Sequence, residues 1–278
     1  MRLHTTYEFV LLLPGMSPYT IFLGGTHRYV QFNTNGLTSL GTIMTNRSMS
    51  LTPEHVSRAH RVVEDIGPET NVNLHSDADY DAIVRDIIAS RPKNQEIWLF
   101  AYGSLIWKPE VDHSASQVGV ARGWHRSFCF KAPRFRGTRE LPGLMMALDR
   151  GGQCRGVLYK LSSANLEAQL AKLFRREFTV KPINSMPRWI TVDGERGRLS
   201  ALTFVMNRQS PAYVGKLSPD EVADVLVSAC GHWGSGAEYL YNTVLHLREK
   251  GIYDSNLWRL QQLVAKRLDL KGGTGNSG

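Results

Sequence analysis

Two stretches hold the residue types and spacing that could do chemistry. In SSANLEAQLAKLFRREF, residues 162 to 178, the apolar positions Leu166, Leu170, Leu173 and Phe174 recur at helical spacing. Glu177 follows Leu170 by seven, Leu173 by four and Phe174 by three, so a helix carries it on the same stripe, with Lys172 and Arg175 turned away. A buried carboxylate costs desolvation and has a raised pKa, which suits a general acid/base. It suits equally a structural ion pair, for which Arg176 or Arg188 is the obvious partner.

In WLFAYGSLIWKP, residues 98 to 109, a dense apolar run breaks at Tyr102-Gly103-Ser104 and resumes. A glycine at a strand end allows close backbone approach, and successive N–H groups there form a concave site for an anion or a carbonyl oxygen. Many strand ends carry Gly-Ser simply to turn. Ser104 also admits a serine acyl hydrolase with His125 or His232 as base, although the GxSxG elbow is missing.

These residues need a scaffold, and the surrounding pattern predicts one. Between 96 and 160 the runs IWLFAY, SQVGVARGW, SFCFKA, GLMMALD and CRGVLYKL read as strands separated by Gly and Pro, and RWITVD with LSALTFVM adds a pair over 188–206. Helices follow: LSPDEVADVLVSACG with a capping box from Ser218 to Glu221, AEYLYNTVLHLREKG, and SNLWRLQQLVAKRL. The expected class is α+β, a curved or closed mixed barrel-like sheet with surrounding helices. Ahead of it, a helix capped at Thr52 carries Val56, Ala59, His60 and Val63, and a second spans 78–90. The expected organisation is an N-terminal arm over 1–48, either disordered or an added hairpin with strands at YTIFL and RYVQF, a helical extension over 49–95, a catalytic domain over 96–270, and a disordered tail over 271–278.

The chain of 278 residues carries a net charge of +8 spread along its length, with one tight cluster, KAPRFRGTR at 131–139. That cluster reads as a solvated loop, a nucleic-acid contact or a clamp for a small acidic substrate, and the interleaved aromatics of an RNA-binding face are too few. Three separated cysteines indicate neither a disulfide framework nor a zinc site. The early run FVLLLPG is too short for a membrane span. These readings predict a cytoplasmic protein with no nucleic-acid partner, no membrane association and no metal, and leave the oligomeric state open.

The LFAYGSLIW segment, the helical Glu177 within RRE, and the following Pro187-Arg188-Trp189 together resemble the ChaC-like γ-glutamylcyclotransferases. The likeness continues through GWHRSF (123–128), PGL (142–144), LDRGGQCRGVLYKL (148–161), EYL (238–240) and GIYDSNL (251–257), covering roughly 97 to 268 in order. One departure is Ala101, where the family usually has Gly. The resemblance implies cleavage of the γ-glutamyl amide of glutathione by the substrate's own α-amine, giving 5-oxoproline and Cys-Gly without cofactor or metal. It implies Glu177 as general acid/base. It also implies that Leu99, Phe100, Ala101, Tyr102, Gly103, Ser104 and Leu105 cradle the substrate through main chain, with Tyr239 contributing its hydroxyl. Arg126 or an arginine of the 131–139 cluster would meet the glycine carboxylate. A non-enzymatic regulator linked to cation transport is the other reading of such a chain.

Overall fold

A computed structural model describes residues 21–23, 28–33, 36–42, 48–68, 72–93 and 95–273. The chain divides into two compact units, Met1–Ser48 and Met49–Gly278. In the first, β1 (Ile21–Leu23), β2 (Arg28–Asn33) and β3 (Gly36–Thr42) form an antiparallel sheet in the order β1-β2-β3. The first two fall in the runs expected to be strands. The third, GLTSLGT, has too many small and polar residues to announce itself.

The second unit opens with α1 (Pro53–Ala59), capped by reciprocal bonds between Thr52 and His55. It is shorter than the periodicity predicts: His60 is the C-cap, and 61–67 have no regular structure. Then come β4 (Asn73–Leu74) and α2 (Asp77–Ala89), the latter capped by Ser76 and Asp79. Next are β5 (Trp98–Ala101), a 3-10 turn (Ser104–Ile106), β6 (His113–Ala132), β7 (Gly143–Leu161) and α3 (Leu166–Glu177). The chain continues through β8 (Val180–Lys181), β9 (Ser185–Gly194), β10 (Gly197–Met206), α4 (Pro219–Ser228), β11 (Cys230–Gly231), β12 (Gly234–Ser235), α5 (Gly236–Glu249) and α6 (Ser255–Gly273).

Five strands close into a barrel in the order β10-β5-β7-β6-β9, and β9 pairs antiparallel with β10 to complete it. The α+β class with a closed barrel-like sheet is therefore what the sequence pattern led us to expect. The breaks expected between SQVGVARGW and SFCFKA and at Gly151-Gly152 lie within single continuous strands rather than at strand ends. Gly123, at φ +80°, sits at a register shift between Arg122 and Trp124 inside one continuous β6, and Gly151 and Gly152 lie within β7. Strands of this length bend around a barrel only with such interruptions.

The barrel wall is packed on both faces: Leu99, Phe100, Leu148, Leu158, Leu202 and Phe204 are all fully buried, although neighbours such as Leu99 and Phe100 point to opposite sides. Helix α3 seals it with Leu170, Leu173 and Phe174, and the Phe174 and Phe204 rings meet edge to face at 5.9 Å. The Ser162 hydroxyl accepts from Ala164 N in a preceding turn, and the helix begins after Asn165, whose φ of +53° breaks the chain direction. Helix α6 runs through Gly273, three residues into the expected tail; 274–278 lie outside the described residues.

Residues 49–95 belong to the same unit as the barrel. Leu51 N donates to Gln261 Oε1 at 2.7 Å, the Tyr80 hydroxyl donates to the Phe178 carbonyl at 3.0 Å, and β4 pairs with β8. Each of these bonds fastens the extension to a different part of the barrel's surround.

Candidate active site at the end of β5

Strand β5 is pinned on both sides, parallel to β10 and antiparallel to β7, and Leu99, Phe100 and Ala101 have no exposed surface. The part of the segment able to meet a ligand therefore starts at Tyr102. Ala101 has no positive φ, so its extra methyl is carried in ordinary extended backbone. Beyond it the next three carbonyls are committed. That of Tyr102 accepts from Arg126 Nε at 2.6 Å, that of Gly103 from Ile106 N at 2.9 Å, and that of Ser104 from Trp107 and Lys108 N. The leading N–H groups of a 3-10 turn have no acceptor within it, so donors are what this corner has to offer. A Cβ on Gly103 would stand 3.2 Å from the Tyr239 hydroxyl, which lies directly against the turn.

Glu177 is the last residue of α3, with its side chain 17% exposed. Burial pushes its carboxyl up to about 7; neighbouring Glu110 adds to the rise and Arg176 opposes it. The C-terminal carbonyls of the helix act in the same direction as Glu110. The ion-pair alternative is present in part: Arg176 Nε lies 3.4 Å from Glu177 Oε1. However, the same guanidinium also faces Glu110 at 3.4 Å, donates to Ser104 Oγ at 3.2 Å and reaches the Lys108 carbonyl. Its charge is divided, and Glu177 stays protonatable near neutrality. Arg188, the other candidate partner, is exposed on β9.

Tyr102 and Tyr239 are buried, and burial raises both phenols, Tyr239 to about 12; each also senses the Glu177 carboxylate. Both hydroxyls stay protonated and can donate. The Tyr239 ring lies under the Arg136 guanidinium at 5.5 Å, and Arg136 pairs with Glu238 at 2.7 Å. Glu177 opens onto a cavity of about 630 Å³ walled by residues 63–68, the 130–140 loop, 176–182 and the 232–233 corner. Neither residues 99–105 nor Tyr239 are part of that wall. The carboxylate thus stands between the cavity and the turn with its two tyrosines.

Residues 97–267 match the family model described as ChaC-like protein, more than half of the chain. The chain belongs to the ChaC-like family. It is 35% identical to the glutathione-specific γ-glutamylcyclotransferase of Escherichia coli K12 over 182 residues, covering 65% of this chain and 78% of that protein. The human glutathione-specific γ-glutamylcyclotransferase 1 is 31% identical over 163 residues, 55% of this chain and 72% of that one. The crystal structure of the yeast γ-glutamyl cyclotransferase specific to glutathione superposes with a TM-score of 0.56 at 21% identity, over 62% of this chain and 97% of that chain, which shows a shared fold.

Within this ChaC-like chain, two expectations change. Arg126 is not available to a substrate carboxylate. It is 9% exposed, and its nitrogens serve the Tyr102 carbonyl, Asp254 Oδ2 at 2.9 Å and the Arg155 carbonyl. It is a strut that holds the turn, and its partner Asp254 lies in the GIYDSNL stretch. The 131–139 cluster is not a uniformly solvated loop either: Arg136 is buried on Glu238, and Arg134 is held bidentately by Asp65 at 2.8 Å on each nitrogen. Sequence reasoning named Arg176 but missed Asp65 and Glu110 as parts of the surround, because each meets its arginine, Arg134 and Arg176 respectively, across nearly 70 residues of chain. The Ser104 hydroxyl accepts from Arg176 and bonds no histidine; His125 Nδ1 faces the Gly151 carbonyl and His232 Nδ1 the Arg134 carbonyl. A serine beside a cation and without a base is poorly placed as a nucleophile. Among the described residues no three His, Cys, Asp or Glu gather to hold a metal, and no helix is long and apolar enough to cross a membrane.

Proposed function

We propose that this protein is a cyclotransferase that cleaves glutathione to 5-oxoproline and Cys-Gly. The named relatives are glutathione-specific γ-glutamylcyclotransferases, which supports that substrate. The observation that carries the mechanism is the Glu177 carboxyl held near neutrality at the junction of cavity and turn. Ionised Glu177 takes a proton from the substrate α-ammonium. The freed amine attacks the γ-carbonyl carbon, forming the ring C–N bond; the amide C–N bond to cysteine breaks as Glu177 returns the proton to the departing nitrogen, and the surplus proton on the ring nitrogen then passes through the same carboxylate to that amine, which leaves as an ammonium. No water is consumed, and Glu177 ends as it began.

The remaining groups have positioning and electrostatic work. Ring closure is intramolecular, so holding the γ-glutamyl chain folded supplies much of the acceleration. We assign that task to the main chain from Tyr102 to Leu105 and to the Tyr239 hydroxyl beside Gly103. Backbone N–H groups of the turn, fixed in place by the Arg126 strut, would meet the oxyanion that develops on the γ-carbonyl. Incubating the protein with millimolar glutathione and following 5-oxoproline and Cys-Gly together tests the reading. Release of both in equal amounts is expected; release of glutamate instead of 5-oxoproline would mean hydrolysis and overturn it.

A further inference from the structure

We propose that Lys131 anchors the carboxylate at the far end of the substrate, the glycine carboxylate when glutathione is bound, and so sets specificity; this rests on the cyclotransferase reading above. If the γ-glutamyl end stands at Glu177, the rest of the tripeptide must run along the cavity, whose volume of about 630 Å³ has room for it. Its terminal carboxylate then needs a cation in the wall.

The cations there are not equivalent. Arg134 is occupied by both oxygens of Asp65, with His232 Nε2 3.6 Å from the same carboxylate. Arg176 is shared among Glu110, Glu177, Ser104 and the Lys108 carbonyl. Lys181 Nζ is 2.5 Å from Asp79 Oδ2. Arg139 stands beside Glu140, whose carboxyl it helps to lower. Lys131 also lines the cavity. It is exposed, its backbone is fixed by pairing with Leu144 and by the Ala212 carbonyl, and it forms no ion pair among the described residues. Seating a substrate carboxylate on Arg134 would exchange one carboxylate for another and gain little. Seating it on Lys131 adds a charge-assisted bond without breaking one.

Asp65 makes the selection possible. It comes from the 61–67 strand of irregular chain, ahead of the family-matched residues, and Arg134 holds its carboxyl down at about 2, so it stays ionised and keeps Arg134 filled throughout the neutral range. The acids in the same wall, Glu64, Asp65, Glu140 and, when ionised, Glu177, would repel a carboxylate elsewhere, which leaves Lys131 as the attractive point.

The test compares glutathione with its glycine-carboxylate monoethyl ester, in the wild type and in Lys131→Gln. For a partly exposed charge pair, Lys131→Gln should raise the KM for glutathione about five- to tenfold with kcat nearly unchanged. The ester should already show the raised KM in the wild type and gain no further increase in the variant. An unchanged KM for glutathione, or an equal rise for both compounds, overturns the assignment. Calorimetric titration of both compounds into Glu177→Gln, with and without Lys131→Gln, reads the same contact with no turnover. There, glutathione binding no tighter than the ester also overturns it, whereas absent wild-type turnover would count only against the cyclotransferase reading.

Discussion

Replacing Glu177 by Gln should separate catalysis from stability in opposite directions. The folded protein holds this carboxyl at about 7 against an ordinary 4.5, and burial is the largest cause. At about 1.4 kcal/mol per pH unit, ionising it in place costs the fold about 3 kcal/mol, an upper figure given its 17% exposure. The sign follows from linkage. Below pH 4.5 the carboxyl is neutral whether the chain is folded or not, so nothing is lost; between 4.5 and about 7 the folded form binds the extra proton, and stability falls as pH rises; above about 7 the full cost is borne. Gln keeps the shape without that titration. Thermal melts at pH 5 and pH 8 should therefore show Glu177→Gln gaining on the wild type by several degrees at the higher pH, the scale expected for a domain of this size. In the same variant 5-oxoproline release should fall by about 10²- to 10⁴-fold, while wild-type kcat/KM rises with pH through about 7 as the base form appears. A melting difference that is constant between pH 5 and pH 8 would refute the buried carboxyl, and wild-type turnover in the variant would refute its role.

Ser104→Ala should keep activity within about threefold, because its hydroxyl only accepts from Arg176; steady-state assay decides, and total loss would revive a serine nucleophile. Gly103→Ala would press a methyl to 3.2 Å of the Tyr239 hydroxyl and should lower kcat/KM about tenfold or more in the same steady-state assay; unchanged kcat/KM would count against a role for this close approach. Arg126→Met leaves Asp254 and two carbonyls without their donor and should cost about 3 kcal/mol in denaturant unfolding, with activity lost in step. A chain starting at residue 96 should be poorly folded and inactive where one starting at Met49 is folded and active, since the former lacks the bonds to Phe178, Gln261 and β8; soluble yield and circular dichroism distinguish them.

What was legible in advance was whatever local periodicity controls. Three residue offsets placed Glu177 on the sealed face of α3, and the alternating runs located every barrel strand. Local signals misread Gly151 and Gly152: they satisfy the same rule as a turn, yet the ladder continues past them opposite Gly123, because only the partner strand decides whether pairing resumes. Charges were the least legible. Arg126, Arg134 and Arg136 occur within eleven residues and look alike, but one is a strut on Asp254, one is latched by Asp65 and one lies over Tyr239. Nothing in sequence spacing distinguishes them, since their partners come from segments about 70 to 130 positions away.

The same point explains why the acid/base residue cannot be understood from its own helix. Periodicity buries Glu177, but a neighbouring Arg176 pulls its pKa the other way. Burial is the largest cause of its raised pKa and Arg176 opposes it, while Glu110, Ser104 and the Lys108 carbonyl, all in the stretch from the β5 turn onward, draw on the same guanidinium. The chain at Glu110 takes a positive φ of 53°, a conformation uncommon for a side chain of that kind, and its carboxylate lies where it can both take from Arg176 and raise Glu177. The turn thus has two duties: its main chain presents donors, and the residues after it tune the carboxyl. A change that releases Arg176 from 104–110 would strengthen its hold on Glu177 and lower the base's pKa, even with every group that meets substrate left in place.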